Sequence, residues 1–110
     1  MYELEEREKE KENATKACIE ARVYNISKGR YALKIWNSGK AKAYDVDYRI
    51  SEGYSLDIIR EKVPYEFLEA GKSFDEHAIV HSGTSSKFLI VTEWKNEIGE
   101  GFHKEQMCSL

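Results

Sequence analysis

Alternation of apolar and polar residues, with one abrupt change of parity, is the feature of this chain that most constrains its fold. Apolar residues occupy odd positions between residues 31 and 43 but even positions between residues 46 and 50. A period of two residues predicts β-strands. A change of parity within a strand predicts a β-bulge, in which two residues oppose one on the neighbouring strand. We therefore predict a bulge at Tyr44-Asp45, the alternative being a break between two short strands.

The same period of two recurs from Ala17 to the C-terminus, with turn sequences between the apolar segments. In the Asn-Ser-Gly turn we expect Gly39 to be the left-handed residue. Lys87–Trp94 carries apolar residues on both faces, which predicts a central strand. Residues 56–68 fit either a helical turn or a short strand. About seven short strands, without a βαβ unit or a repeat, predict an all-β fold with the strands in an antiparallel β-sandwich.

Composition limits the classes of protein to which this chain can belong. Its 110 residues are 41% apolar, which suffices for one core, and no apolar run approaches the length of a membrane span. Residues 1–12 carry a net charge of −3 and so account for the net charge of the whole chain. The remainder is neutral and has no basic run, which argues against a nucleic-acid partner.

The charge distribution also divides the chain. Residues 1–16 are predicted to be a short charged segment, helical or disordered, that precedes a sandwich domain of residues 17–110. Opposite charges four residues apart, such as Glu5 and Lys9, support a solvated helix there. A stalk that follows an upstream membrane anchor has this composition, and so does any charged native N-terminus. The chain itself is expected to be soluble.

Three stretches resemble the immunoglobulin-like domains of prokaryotic surface and envelope proteins, of the cell-adhesion-related and fibronectin-like type. Leu33–Val46 is close to the pattern L-x-I-x-N-x-G-x-A-x-A-x-x-V of the second and third strands of that family. Leu68–Phe74 resembles its L-x-P-G-x-S-F turn, and Phe88–Gly99 resembles its penultimate strand and hairpin. The resemblance covers residues 17–110 and implies an immunoglobulin-like β-sandwich.

The same resemblance implies a role without catalysis. It suggests an interaction or spacer module that binds a protein partner through exposed sheet or loop surface, in a bacterial protein associated with the membrane or envelope. It brings no catalytic residues and no cofactor. The alternative function is a carbohydrate-binding module that uses exposed aromatic side chains.

Candidate binding residues are the aromatic side chains that the strand pattern does not bury. Trp36 lies on the opposite parity from Leu33 and Ile35, and an outward aromatic can anchor a partner or stack on a sugar ring. The alternative is that these rings only cover the outer sheet surface or pair across strands. The predicted binding residues are Tyr24, Trp36 and Tyr44, and Tyr54 and Tyr65 are two further aromatics without an evident buried position.

The histidines and serines of the chain do not form a recognisable catalytic or metal-binding motif. His77 and His81 share a side of one predicted strand but lie about 13 Å apart along an extended chain, too far for one metal ion, and His103 lies remote in sequence. Serine, histidine and aspartate all occur, but without a G-x-S-x-G nucleophile turn. We therefore predict no enzyme, no metal site and no cofactor.

The two cysteines lie near opposite ends of the chain. Cys18 and Cys108 lack the C-x-x-C spacing of metal and redox sites, and we expect two buried or half-buried thiols. A disulfide that joins the first strand to the last is the alternative, and it requires adjacent strands and an oxidising compartment.

Overall fold

A computed structural model of the chain describes residues 16–110, and the charged segment predicted for residues 1–16 lies almost wholly outside them. The described residues form eight strands and no helix. The prediction of an all-β antiparallel sandwich is confirmed, with one strand more than the seven expected. The strands are β1 (Ile19–Ser27), β2 (Arg30–Asn37), β3 (Ala43–Ile50), β4 (Asp57–Ile59), β5 (Tyr65–Leu68), β6 (Ser73–Ile79), β7 (Lys87–Lys95) and β8 (Gly101–Ser109).

The strands form two four-stranded sheets that face each other across one core. Sheet A has the order β1-β2-β6-β4 and sheet B has the order β5-β3-β7-β8, and every neighbouring pair is antiparallel. The central position of β7, between β3 and β8, confirms the prediction for Lys87–Trp94. Alternate residues of the strands point inward, as the period of two requires. The largest fully buried apolar side chains are Ile19, Leu33, Ile35, Val46, Phe88, Ile90 and Val91.

The predicted β-bulge is present on β3. Tyr44 lies opposite Lys95 and Asp47 lies opposite Glu93, so the β3 side of the ladder has one extra residue. Asp45 has a φ of 48°, the left-handed conformation that an extra residue adopts at some bulges. The bulge restores the inward direction of Val46 after Ala43, and both side chains are fully buried.

The ambiguous stretch at residues 56–68 contributes a strand to each sheet. β4 pairs with β6 at one edge of sheet A, and β5 pairs with β3 at one edge of sheet B. The connection between them is held by Glu76, a 97%-buried carboxylate that accepts hydrogen bonds from the backbone N–H groups of Glu61 (3.2 Å) and Lys62 (2.9 Å). This long-range contact explains why the local pattern left the stretch undecided.

The expected left-handed conformation of Gly39 is wrong, and the need for glycine there has another cause. A Cβ atom at Gly39 would lie 2.0 Å from the carbonyl oxygen of Lys16, so the backbones approach too closely for any side chain. The Gly39 N–H donates to Asn37 Oδ1 at 3.0 Å. The glycine therefore allows residues 16–18 to pack directly against the β2–β3 connection.

One side of the sandwich is closed by side chains of β8 that contact the edge of β1. The Ala21 N–H donates to Gln106 Oε1 at 2.7 Å, and the Cys108 thiol donates to the Ala21 carbonyl at 3.5 Å. Thr92 on β7 donates its hydroxyl to the Ile19 carbonyl at 2.7 Å. These contacts satisfy backbone groups of β1 that an edge strand would otherwise present to another chain. Among residues 16–110 there is no helix long and apolar enough to cross a bilayer.

Candidate functional site

Two of the three predicted binding residues lie together, and the third lies on the opposite face of the molecule. Tyr24 on β1 and Trp36 on β2 both point away from the core, because the inward positions of these strands are the odd ones. They occupy the outer face of sheet A. Tyr44 points outward from sheet B, where it lies opposite Phe67 of β5. The three predicted binding residues therefore do not form one continuous surface.

Tyr24 and Trp36 line an open cleft of about 520 Å³ on the outer face of sheet A. We call it the Tyr24–Trp36 cleft. Its remaining lining comes from β1, β2 and β6, and consists of Arg22, Lys34, Ser73 and Asp75. A second depression, of about 620 Å³, lies towards β8 and shares Arg22, Tyr24 and Trp36 with the cleft.

A row of three charged residues crosses the cleft between the two aromatic rings. Lys34 on β2 lies directly opposite Arg22 on β1 and directly opposite Asp75 on β6. Among the described residues, neither Arg22 nor Lys34 has a carboxylate within salt-bridge distance. Lys34 Nζ lies 5.8 Å from the centroid of the Trp36 ring, within range of a cation–π interaction. The cleft thus joins two aromatic rings to two cations and one anion.

Tyr24 is a neutral hydrogen-bonding group in this cleft. The pKa of the Tyr24 hydroxyl is raised above its ordinary value, mainly by desolvation and to a smaller extent by the neighbouring Asp75 carboxylate. The hydroxyl therefore remains protonated across the physiological pH range and can donate or accept a hydrogen bond.

The other predicted aromatics have separate environments. Tyr44 and Phe67 lie under Lys42, whose Nζ is 5.8 Å and 4.5 Å from the respective ring centroids. Tyr65 stacks on Phe74, with 4.4 Å between the ring centroids, and packs against the core. Tyr54 lies in the β3–β4 connection and is 38% exposed. None of these rings lines the Tyr24–Trp36 cleft.

The histidines lie on different parts of the sandwich. His77 is on sheet A, His103 is on sheet B, and His81 follows β6. His81 Nε2 lies 3.1 Å from Asp57 Oδ2, and His81 Nδ1 accepts the N–H of Gly83 at 2.9 Å. Both ring nitrogens of His81 are thus engaged in hydrogen bonds. Across residues 16–110, no three His, Cys, Asp or Glu side chains are grouped closely enough to hold a metal ion.

The alternative of a disulfide between Cys18 and Cys108 is not realised in the structure, where both are free, half-buried thiols. The Cys18 sulfur lies 3.7 Å from Lys104 Nζ, whereas Cys108 donates to Ala21 further along β1. Ala21, the contact of Cys108, lies three residues after Cys18, about 10 Å along an extended chain. The two thiols therefore contact different parts of the chain. Burial raises the pKa of the Cys108 thiol, which keeps it protonated.

The binding residues predicted from the sequence did not include the charged residues of the cleft. Arg22 and Lys34 have the same strand parity as Tyr24 and Trp36, so their outward direction could have been read from the alternation. The position of Asp75 in the cleft could not be read from the sequence. It depends on the pairing of β6 with β2, which lies about forty residues earlier in the chain. No local signal specifies which strands become neighbours.

Comparison with known proteins gives no match to a family model, to a curated protein or to a solved structure. The resemblance to prokaryotic immunoglobulin-like domains therefore remains a prediction from the motifs.

Proposed function

We propose that this chain is a non-catalytic, immunoglobulin-like interaction module that binds a protein partner through the Tyr24–Trp36 cleft. The order β1-β2-β6-β4 opposite β3-β7-β8 corresponds to the A-B-E-D and C-F-G sheets of immunoglobulin constant-type domains, with β5 added beside β3. The motif resemblance extends the proposal to a domain of a bacterial membrane- or envelope-associated protein.

The observation that carries the proposal is the placement of two large aromatic rings at one open cleft. Tyrosine, tryptophan and arginine are the residue types that contribute most to binding energy in protein interfaces. Here Tyr24, Trp36 and Arg22 line the same depression on a sheet face that no other described element covers. The rigid strands beneath them fix their positions before a partner arrives, which reduces the entropy lost on binding.

The cleft suits a protein partner better than a neutral sugar. A neutral sugar brings no negative charge to the two cations of the cleft, Arg22 and Lys34. Sugar hydroxyls also require hydrogen-bond acceptors, and among the described residues the only carboxylate that lines the cleft, that of Asp75, lies beside the Tyr24 hydroxyl. The free charged groups, Arg22 and Lys34, are donors only.

The test compares two double variants that each remove a pair of aromatic rings. The full chain is used as bait against extracts of the source cell, together with Tyr24→Ala/Trp36→Ala and, as matched control, Tyr44→Ala/Phe67→Ala on the opposite face. We expect the control to retain the captured partner. We expect the cleft variant to weaken binding by about 2 kcal/mol or more, roughly thirtyfold in Kd.

Circular dichroism and melting curves establish that both variants are folded before their binding is compared. Equal capture by the native chain and the folded cleft variant would refute the assignment of the cleft. Loss of capture only in the Tyr44→Ala/Phe67→Ala variant would move the binding surface to sheet B.

A further inference from the structure

The charged row across the Tyr24–Trp36 cleft is unfavourable for the fold itself. Arg22 and Lys34 lie directly opposite each other on neighbouring strands, a placement in which like charges destabilise a sheet. Asp75 offers one negative charge against these two positive charges, and no described residue forms a salt bridge with either cation. The contacts within residues 16–110 do not account for two cations at this position.

From this charge excess we infer that the cleft binds an acidic segment of the partner protein, with carboxylates on Arg22 and Lys34 and apolar side chains on Tyr24 and Trp36. This inference rests on the proposed function and specifies the chemistry of the partner. A carboxylate can accept two parallel hydrogen bonds from the Arg22 guanidinium. A second carboxylate can pair with the Lys34 ammonium on the adjacent strand, while the flanking rings exclude water from both pairs.

The segment is expected to lie across the sheet face, because strand addition at β1 is blocked. An incoming strand would need the outward N–H and C=O groups of β1. At Ala21 these groups are already bonded to the side chains of Gln106 and Cys108. Recognition at this surface therefore depends on side chains, which makes the charges and rings of the cleft decisive.

A short acidic segment fits the molecule better than a long polyanion does. The chain has a net charge of −3, and residues 13–110 are neutral overall, so the chain has no net positive field to attract a polyanion. A nucleic acid or an acidic polysaccharide would carry its negative charge beyond the cleft, onto a chain that as a whole has no excess of cations. Two or three carboxylates on a protein segment require only the local excess at Arg22 and Lys34.

The test selects binders from a phage-displayed library of random dodecapeptides on the immobilised full chain. Parallel selections use Arg22→Gln/Lys34→Gln, the aromatic variant Tyr24→Ala/Trp36→Ala and a control. The control, Arg49→Gln/Lys95→Gln, removes two exposed cations from the outer face of sheet B, where they pair with Glu93 and Asp45.

We expect peptides selected on the native chain and on the control to be enriched in Asp and Glu beside aromatic or aliphatic residues. We expect this acidic enrichment to disappear with Arg22→Gln/Lys34→Gln. A synthetic peptide from the native selection should bind roughly tenfold more weakly to this variant by fluorescence anisotropy. Its affinity for the native chain should fall as salt is added.

The variants separate failure of this inference from failure of the proposed function. If Tyr24→Ala/Trp36→Ala abolishes selection while Arg22→Gln/Lys34→Gln leaves the peptides unchanged, the acidic partner is refuted and the interaction surface stands. If neither variant changes the selected peptides, both proposals are refuted. Tetragalacturonate is titrated against the native chain as an acidic sugar. If it binds more tightly than the selected peptide, and if Arg22→Gln/Lys34→Gln abolishes that binding, the acidic protein segment is refuted and the ligand is an acidic glycan.

Discussion

Asn37 is a buried polar residue whose side chain links three segments at one end of the sandwich. Its side chain is fully buried and makes four hydrogen bonds to backbone groups. Oδ1 accepts from the N–H groups of Cys18 (3.2 Å) and Gly39 (3.0 Å), and Nδ2 donates to the carbonyls of Ala41 (2.7 Å) and Leu68 (3.0 Å). One amide thus connects the start of β1, the β2–β3 connection and the end of β5.

Asn37→Ala should lower the free energy of unfolding by about 3 kcal/mol, because each buried backbone group left without a partner costs about 1 kcal/mol or more. Urea denaturation measures the change. Asn25→Ala, at the exposed end of β1, is the matched control and should change stability by less than about 0.5 kcal/mol. A loss for Asn37→Ala no larger than that of the control would contradict the role of the amide.

Tyr48 carries a hydroxyl that the fold buries without a hydrogen-bond partner among the described residues. Desolvation first, and then the charge of Glu76, raise the pKa of Tyr48 well above its ordinary value, against a smaller opposite effect of Arg60. Because the pKa of Tyr48 is higher in the folded chain than in the unfolded chain, its contribution to the free energy of unfolding is fully present below about pH 10. That stability is lost as the pH rises above this value, because the unfolded chain releases the proton first.

Tyr48→Phe should raise stability at neutral pH by up to about 1 kcal/mol, since it removes a buried hydroxyl without a partner. It should also reduce the loss of stability above pH 10. Urea denaturation at pH 7 and at alkaline pH measures both effects, with Tyr54→Phe in the exposed β3–β4 connection as the control. Destabilisation of Tyr48→Phe at pH 7 would show that the hydroxyl has a partner in solution.

At the scale of the element, the bulge on β3 determines which side chains reach the core. Asp45 has a φ of 48°, a conformation that costs an L-residue about 1–2 kcal/mol and that Asp and Gly tolerate best. The bulge was predictable because burial imposes the parity of Ala43 and Val46 independently of the partner strand. That the bulge lies next to Lys95 could not be predicted in this way, because it depends on the pairing of β3 with β7.

Asp45→Val should destabilise the domain by about 1–2 kcal/mol, because a β-branched side chain is strained at positive φ. Asp45→Gly should retain or slightly increase the native stability. Both variants remove the exposed contact with Lys95, at 3.7 Å, so their comparison isolates the backbone. Thermal melting of the two variants checks the prediction, and equal melting temperatures would argue against a left-handed residue at position 45.

The segment that contains β4 and β5 shows where local sequence patterns fail to predict the structure. The segment from Leu56 to Leu68 contains two short strands that belong to different sheets. Its path is set by Glu76 beneath the connection and by Arg60, which donates to the Tyr48 carbonyl at 2.6 Å and to the Asp47 carboxylate at 2.7 Å and 3.0 Å. All these partners are 12 or more residues away in sequence, beyond the range of any periodicity.

At the scale of the whole molecule, contacts between β1 and β8 close the sandwich without a covalent link. Lys104 bridges Glu20, at 2.9 Å, and the Cys18 sulfur. Burial raises the pKa of Glu20, but hydrogen bonds from Ser38 and Lys104 and the charge of Lys104 together lower it below its ordinary value. The two edges of the sandwich are thus held by polar side chains.

Because Cys18 and Cys108 are free thiols, reductant should leave the melting temperature of the purified chain unchanged. A disulfide across about ninety residues would contribute roughly 4 kcal/mol to stability. Thermal melts with and without reductant, together with the intact mass after alkylation of the denatured chain, measure this. Alkylation should add two groups before reduction, and a lower melting temperature on reduction would establish the disulfide instead.

The sequence by itself determined the fold class, most strand positions, the bulge and the outward direction of Tyr24 and Trp36. These follow from the period of two, since inward and outward directions alternate along each strand whatever its neighbours are. Only the tertiary structure decided that Tyr44 lies on the opposite sheet, that Cys18 and Cys108 are held apart, and that Asp75 joins Arg22 and Lys34. Strand order and register depend on contacts between distant residues, which one-dimensional alternation does not encode.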